Sequence, residues 1–177
     1  MKPDITQTWT QFQEVLKRIG KANSLLNPPC APQSPRAFED RFSIQLPEPL
    51  KTLLAINNGQ VVTGDGSKNG IFKSVSGWDV YERHIFLGIE GIAIAYQVFT
   101  SDSLLLAEFG SHEIPFAVAG TPAQYRETFC IHALTGVVSL IWTEISDPFN
   151  PPEWQVQRFR RSDSLAEFIE KQIEFYN

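Results

Sequence analysis

The chain has 177 residues, of which 42% are hydrophobic and 12% aromatic, and its formal net charge is −5. A chain of this length buries roughly 70% of the surface that it exposes when unfolded, so we expect one globular domain spanning residues 1–177. The acidic balance argues against nucleic acid and anionic membranes as partners and is compatible with a basic protein partner.

The number of cysteines and the hydropathy of the sequence indicate the cellular compartment in which we expect the protein. Cys30 and Cys130 are too few for a disulfide scaffold, which fits a reducing environment. The first residues lack the apolar run of a secretory signal, and no stretch approaches the ~18 uninterrupted apolar residues of a membrane span. We therefore expect a cytoplasmic protein without a membrane segment.

The first predicted helix begins near Thr8 and ends at Gly20. Thr8 and Gln11 have the spacing of a capping box at its start. A proline-rich connector follows at residues 27–32, where neither helix nor central strand is expected. The apolar residues of the helix lie three or four positions apart, on one face: Trp9, Phe12, Leu16 and Ile19.

Residues 34–60 predict two short helices around a proline hinge, and we expect the rest of the chain to be organised around this pair. Ser34 is a suitable N-cap for the first helix. Pro47 and Pro49 exclude helix between the two but can be accommodated in the first turn of the second helix. The second helix stops at Asn57-Asn58-Gly59, where Gly59 can adopt the left-handed conformation of a helix end. The apolar positions are Phe38 and Phe42 in the first helix and Leu50, Leu53 and Leu54 in the second.

Beyond residue 60 the apolar pattern changes from helical to alternating. Residues 61–72 suggest a hairpin-type excursion, and residues 78–87 and 104–109 remain open between several structures. Residues 89–99 predict a helix, alternation predicts strands within 114–118, 125–132, 137–142 and 154–159, and a capping box at Ser164 and Glu167 opens a C-terminal helix. This order predicts an α+β fold with a largely antiparallel (mixed) sheet packed against N-terminal helices and a C-terminal helix.

Several of these motifs resemble the signature of the SMI1/KNR4 (SUKH) superfamily. The signature consists of an acidic residue on a helix, a Leu-Pro hinge and a helix that ends in Asn-Gly-Gly. The corresponding residues here are Glu39, Leu46-Pro47 and Asn58-Gly59, with Gln60 in place of the second glycine. The helix of Trp9, the strand of residues 114–117 and the helix of Ser164 and Phe168 follow the order of the family.

The resemblance implies a small α+β domain that binds another protein. Many bacterial members look like immunity proteins, which bind and block a cognate toxin, and fungal members resemble regulatory adaptors. Neither role needs a catalytic set. The matched residues have an architectural character, so they are not expected to form the binding site.

Four groups of residues could carry chemistry. Cys130 and His132 share one side of a predicted strand and could form a nucleophilic pair or, with His112, a thin metal site, although a buried core cysteine explains the same pattern. A second group is a loop from Asp65 that resembles a calcium-binding loop but has Ser76 where a bidentate Glu belongs. A third is an arginine patch that consists of Arg126, Arg158, Arg160 and Arg161. The fourth consists of two sets of carboxylates: Asp102, Glu108 and Glu113, and Glu144, Asp147 and Glu153. Simpler explanations exist for each of these three groups. The loop can be the glycine-rich tip of a hairpin, the arginines can form a solvated rim, and the carboxylates can be ordinary surface residues.

The sequence thus predicts a non-catalytic protein-binding domain without cofactor or metal, whose partner is a toxin domain such as a nuclease. Alternatives are a regulatory adaptor and a small enzyme that uses Cys130 and His132. The expected binding surface consists of Asp147, Phe149, Glu153 and Trp154 in one loop and Asp65 and Lys68 in a second, glycine-rich loop.

Overall fold

The computed structural model describes residues 3–20, 25–61, 70–75, 81–101, 103–119, 127–145 and 154–177. Within these ranges the chain forms six helices and six strands. The helices are α1 (Ile5–Arg18), α2 (Ser34–Phe42), α3 (Glu48–Ile56), α4 (Ile89–Ser101), α5 (Ser103–Phe109) and α6 (Leu165–Tyr176). The strands are β1 (Phe72–Val75), β2 (Tyr81–Phe86), β3 (Glu113–Val118), β4 (Glu127–His132), β5 (Val138–Ile145) and β6 (Trp154–Ser162). None of the described helices has the length and apolar character needed to cross a membrane.

The strands form one antiparallel sheet in the order β1-β2-β3-β4-β5-β6, which confirms the predicted α+β class. The pairing of β5 with β6 is extensive and runs from Val138 opposite Ser162 to Ile145 opposite Trp154. The sheet is curled, as shown by the 2.8 Å hydrogen bond that the Ser74 hydroxyl on β1 donates to the Glu127 carboxylate on β4. This curl brings the first strand close to the middle of the sheet.

Phe72 at the start of β1 lies at the centre of an aromatic core. Its ring centroid lies 5.3 Å from that of Phe168 on α6 and 5.8 Å from that of Phe12 on α1. It also contacts the rings of Trp9, Phe86 and Phe116, at centroid distances of 6.4, 5.9 and 6.0 Å. The N-terminal helix, the C-terminal helix and the curled sheet therefore share one core.

The turn that follows α3 connects distant elements through side-chain oxygens. The Asn57 Oδ1 atom accepts the indole N–H of Trp9 at 3.0 Å, and Asn58 Oδ1 accepts the backbone N–H of Ile89 at 2.7 Å. Gln60 Oε1 accepts the backbone N–H groups of Ile71 and Phe86 at 3.2 and 2.8 Å. Residues 57–60 thereby join α1, α4, β1 and β2, as expected of the segment around which the chain is organised.

Gly59 has a different role from the predicted one. Its φ of 73° is left-handed, but the C-cap of α3 is Asn57, in an extended conformation, so Gly59 does not end the helix. A Cβ atom on Gly59 would lie 2.1 Å from the backbone nitrogen of Gly88. Gly59 is therefore required where the turn passes close to the segment between β2 and α4.

Two predicted helix starts are wrong and one is confirmed. Helix α1 begins a turn before Thr8, because the Asp4 carboxylate accepts the Gln7 N–H at 2.9 Å and caps the helix. Ser34 is the first residue of α2 rather than its N-cap, which is Gln33. The capping box of α6 is confirmed, with the Ser164 hydroxyl accepting the Glu167 N–H at 3.2 Å.

The structure decides several segments that the periodicity leaves open. Residues 104–109 belong to α5, and residues 81–86 form β2. The alternation of apolar residues predicted for residues 114–118 does not correspond to one buried face, because every residue of β3 is buried. Residues 62–69, the tip of the predicted excursion, lie outside the described ranges.

Candidate functional site

Most residues of the predicted binding surface lie outside the described ranges: Asp65, Lys68, Asp147, Phe149 and Glu153. Trp154 is the first residue of β6 and pairs with Ile145, the last residue of β5. The predicted loop is therefore anchored at both ends by an extensive strand pair. Its part in binding stays a prediction.

Cys130 is a core residue. It is 0% exposed, and burial, together with the charge of Glu113, raises the pKa of its thiol well above the ordinary value. A protonated thiol is a poor nucleophile and a poor metal ligand. The His132 Nδ1 atom accepts the backbone N–H groups of Leu134 and Thr135 at 3.3 and 3.4 Å, so this ring stabilises the turn before β5.

A nearby ion pair, between Glu113 and Arg158, also connects elements of the fold. The Glu113 Oε1 atom on β3 lies 3.3 Å from the Arg158 Nε atom on β6, and Arg158 donates a 2.6 Å hydrogen bond to the carbonyl of Phe109 at the end of α5. Among the described residues, no group of three or more His, Cys, Asp or Glu side chains is arranged to hold a metal ion. The burial of Cys130 and the hydrogen bonds of His132 give both residues a structural role.

The residues of the family-like signature are used inside the fold. The Glu39 Oε1 atom accepts the backbone N–H of Leu46 at 2.9 Å and lies 3.4 Å from the Lys51 Nζ atom, which fastens the proline hinge between α2 and α3. Leu46 is buried, and Asn58 caps the start of α4. These interactions confirm that the signature is architectural.

A cleft of about 460 Å³ lies between β1, β6 and α6, and we call it the α6 cleft. Phe129 and Phe168, both buried, form its apolar base. Four basic residues from three elements line it: Lys73 on β1, Arg160 and Arg161 on β6, and Lys171 on α6. Glu174 is the one acidic residue among the described residues that line it, so the lining is predominantly basic although the chain as a whole is acidic.

A bulge directs two consecutive arginines toward the cleft. Side chains of consecutive strand residues normally point to opposite faces of a sheet. Here the register shifts, because Val138 pairs with Ser162 whereas Ser139 pairs with Arg160. Arg161 is the additional residue between the two pairs, and such a bulge redirects side chains.

The predicted arginine patch is therefore divided. Arg160 and Arg161 line the α6 cleft, whereas Arg158 binds Glu113 and the end of α5. Arg126 lies outside the described residues. Lys73 and Lys171 complete the cleft without any signal in the local sequence, because the curl of the sheet and the docking of α6 bring them to Arg161.

Burial affects the charges of the cleft. It lowers the pKa of Arg161, with a smaller opposite effect from the Glu127 carboxylate, and it lowers the pKa of Lys73, helped by the charge of Arg83. Arg160 forms an ion pair with Asp163, and Lys171 forms one with Glu167 at 2.8 Å. The Lys73 Nζ atom donates a 3.3 Å hydrogen bond to the carbonyl of Phe175 and lies 3.7 Å from the ring centroid of Tyr176. Among the four basic residues of the cleft, Arg161 alone has a buried side-chain nitrogen, Nε, without a hydrogen-bond partner in the described part of the chain.

A model of the SMI1 / KNR4 family (SUKH-1) matches residues 29–171 of the chain. The matched range contains the Glu39 hinge, the turn at residues 57–60 and all six strands. The chain belongs to the SMI1/KNR4 family. In this SMI1/KNR4 domain, α1 lies before the matched range, yet its Trp9 binds Asn57 in the turn after α3. A comparison with curated proteins finds no match.

Proposed function

We propose that this SMI1/KNR4 domain is a non-catalytic binding protein of the immunity type, which neutralises a cognate toxin in the cytoplasm of a bacterial cell. The observation that carries the proposal is the family match over residues 29–171. The Glu39 and Asn58 side chains of the signature accept hydrogen bonds within the fold, so we do not place the contact with the toxin on them. Binding is then a property of the outer surface.

The demands of neutralisation define the kind of surface to expect. An immunity protein must suppress a lethal enzyme at low concentration, which requires a nanomolar Kd or better. A nanomolar Kd corresponds to a binding free energy of about −12 kcal/mol. Affinity of this order comes from a compact patch of aromatic and charged anchors, and opposite charge accelerates the encounter. The net charge of −5 favours a basic toxin domain, such as a nuclease.

We place the main contact in the loop between β5 and β6, with Asp147, Phe149, Glu153 and Trp154 as its anchors. The loop combines acidic and aromatic residues, and the paired strands β5 and β6 support both of its ends. The glycine-rich loop with Asp65 and Lys68 supplies a second edge.

Co-expression with the toxin encoded by the neighbouring gene tests the proposal. We expect the wild-type chain to restore growth, and Asp147→Lys with Glu153→Lys to weaken rescue because the charges then repel a basic partner. Glu14→Lys with Asp40→Lys is a matched control, since it makes the same change of charge at exposed positions on α1 and α2. Unfolding curves should show that all variants remain folded.

The possible outcomes separate the function from the surface. Failure of the wild-type chain to rescue growth would remove the immunity role and favour a regulatory adaptor. Rescue that is equally strong with the loop variant would move the interface to another surface of the domain.

A further inference from the structure

Arg161 in the α6 cleft is incompletely satisfied by the described part of the chain. Its Nε atom is buried and has no hydrogen-bond partner there. No carboxylate of the described residues lies within 4.0 Å of its guanidinium, which instead lies over the ring of Phe159, with 5.8 Å between Cζ and the ring centroid. A buried donor without an acceptor is costly, so an anion arriving from outside the chain would stabilise this side chain.

The remaining basic residues of the cleft can adjust to such an anion. The ion pairs of Arg160 with Asp163 and of Lys171 with Glu167 are solvent-exposed, with side-chain exposures between 36% and 73%. Exposed ion pairs of this kind contribute little to the stability of the fold, so their side chains can change partners at little cost. Arg160 and Lys171 therefore add long-range attraction around Arg161, and Lys73 adds its charge while its Nζ atom binds the carbonyl of Phe175.

The rim of the cleft indicates the kind of molecule that carries the anion. Phe175 lines the cleft and is 41% exposed, and Phe159, which is 44% exposed, lies against the Arg161 guanidinium. A small ligand is usually enclosed in its pocket and would leave Phe159, outside the cleft lining, without a role. Exposed aromatic residues next to arginines are typical of the energetically important centres of protein interfaces.

We propose that the α6 cleft binds an acidic side chain of a protein partner, with Arg161 as its anchor and with Phe159 and Phe175 as apolar contacts at the rim. This proposal rests on the proposed function only in that the chain binds a protein. The guanidinium of Arg161 offers a planar pair of donors that matches a carboxylate, and the cleft excludes part of the water that would weaken the pair.

The cleft is separate from the loop between β5 and β6. Arg161 lies seven positions after Trp154 on β6, which at about 3.3 Å per residue places them roughly 23 Å apart. An acidic loop and a basic cleft at opposite ends of one strand therefore offer two contacts of opposite charge. A partner with both a basic and an acidic region would be held in one orientation.

Fluorescence anisotropy with a labelled oligoglutamate peptide at low ionic strength tests the cleft directly. We expect saturable binding that weakens with added salt and becomes at least about tenfold weaker in Arg161→Ala. Arg161→Lys should retain part of the binding, because it keeps the charge and loses the planar pair of donors. Arg36→Ala, at a highly exposed position on α2, removes the same charge elsewhere and should bind like the wild type.

Pyrophosphate is the second arm of the experiment. Binding of pyrophosphate that depends on Arg161, with no binding of oligoglutamate, would overturn the proposal in favour of a phosphate ligand. Absence of binding by both probes, or equal binding by wild type and Arg161→Ala, would also overturn it. Unfolding curves of each variant show whether a loss of binding reflects a loss of fold.

The rescue experiment distinguishes failure of this proposal from failure of the proposed function. If oligoglutamate binds through Arg161 and the wild-type chain does not rescue growth, the cleft stands and the immunity role fails. If the wild-type chain rescues growth and Arg161→Ala rescues less well without loss of stability, the cleft faces the toxin. Rescue that is unchanged in Arg161→Ala, together with absence of peptide binding, leaves the immunity role and removes the cleft.

Discussion

Replacement of Gln60 by leucine tests the view that the turn after α3 holds the fold together. Gln60 is buried, and its Oε1 atom accepts the backbone N–H groups of Ile71 and Phe86. Leucine is similar in size but cannot accept these hydrogen bonds. Each buried donor left without an acceptor costs about 1–3 kcal/mol, so Gln60→Leu should lower the free energy of unfolding by about 2–6 kcal/mol.

Thermal unfolding followed by circular dichroism measures this loss. A domain of this size loses about 2–4 °C in Tm per kcal/mol, so we expect a decrease of roughly 4–24 °C. Gln97→Leu is the matched control, because Gln97 is exposed on α4 and accepts a 2.6 Å hydrogen bond from Arg41. This control should change stability by no more than about 0.5 kcal/mol. Equal Tm values for Gln60→Leu and the wild type would refute the assigned role of the turn.

Two further predictions concern titrating groups near β4. Burial raises the pKa of Glu113 above its ordinary value of 4.5, against the attraction of Arg158, so the folded state binds more protons than the unfolded state as the pH rises through this range. The stabilisation that Glu113 contributes is therefore present at acidic pH and lost toward neutral pH. We expect the Tm of the wild type minus the Tm of Glu113→Gln to decrease as the pH rises. An increase of this difference would mean that the ion pair with Arg158 dominates. Because the Cys130 thiol is fully buried and its pKa is raised, a thiol reagent should label only the partly exposed Cys30 in the native protein and should reach Cys130 upon unfolding. Cys30→Ser should abolish native labelling, and rapid labelling of that variant would contradict the burial of Cys130.

Local rules explain the elements that the sequence predicted correctly. The apolar residues of α1, α3 and α6 recur at helical spacing, and the capping box at Ser164 and Glu167 operates within a single turn. The strands from residue 114 onward contain alternating or β-branched residues whose preference is expressed locally. The wrong start of α1 has a local cause too, since Asp4 and Thr8 both offer cap oxygens and the helix extends to the earlier one.

The candidate site was only partly predictable. The sequence places Arg160 and Arg161 in an arginine patch, but periodicity alone places neighbouring side chains on opposite faces of a strand. The bulge opposite Val138 and Ser139 lets both line the α6 cleft. Sequence gave no reason to associate Lys73 with them, because it lies far away in the chain.

Local patterns are sufficient for the α+β class, for α1, α2, α3, α4 and α6 and the later strands, and for the SMI1/KNR4 signature, because each depends on residues that are close together in the chain. Long-range packing sets the positions of β1 and β2 in the sheet, the role of Gly59 and the composition of the α6 cleft. These features arise from the curl of the sheet, which brings Ser74 to Glu127, and from the docking of α6 against it. Contacts between residues far apart in the chain depend on how whole faces pack, and no local pattern encodes that packing.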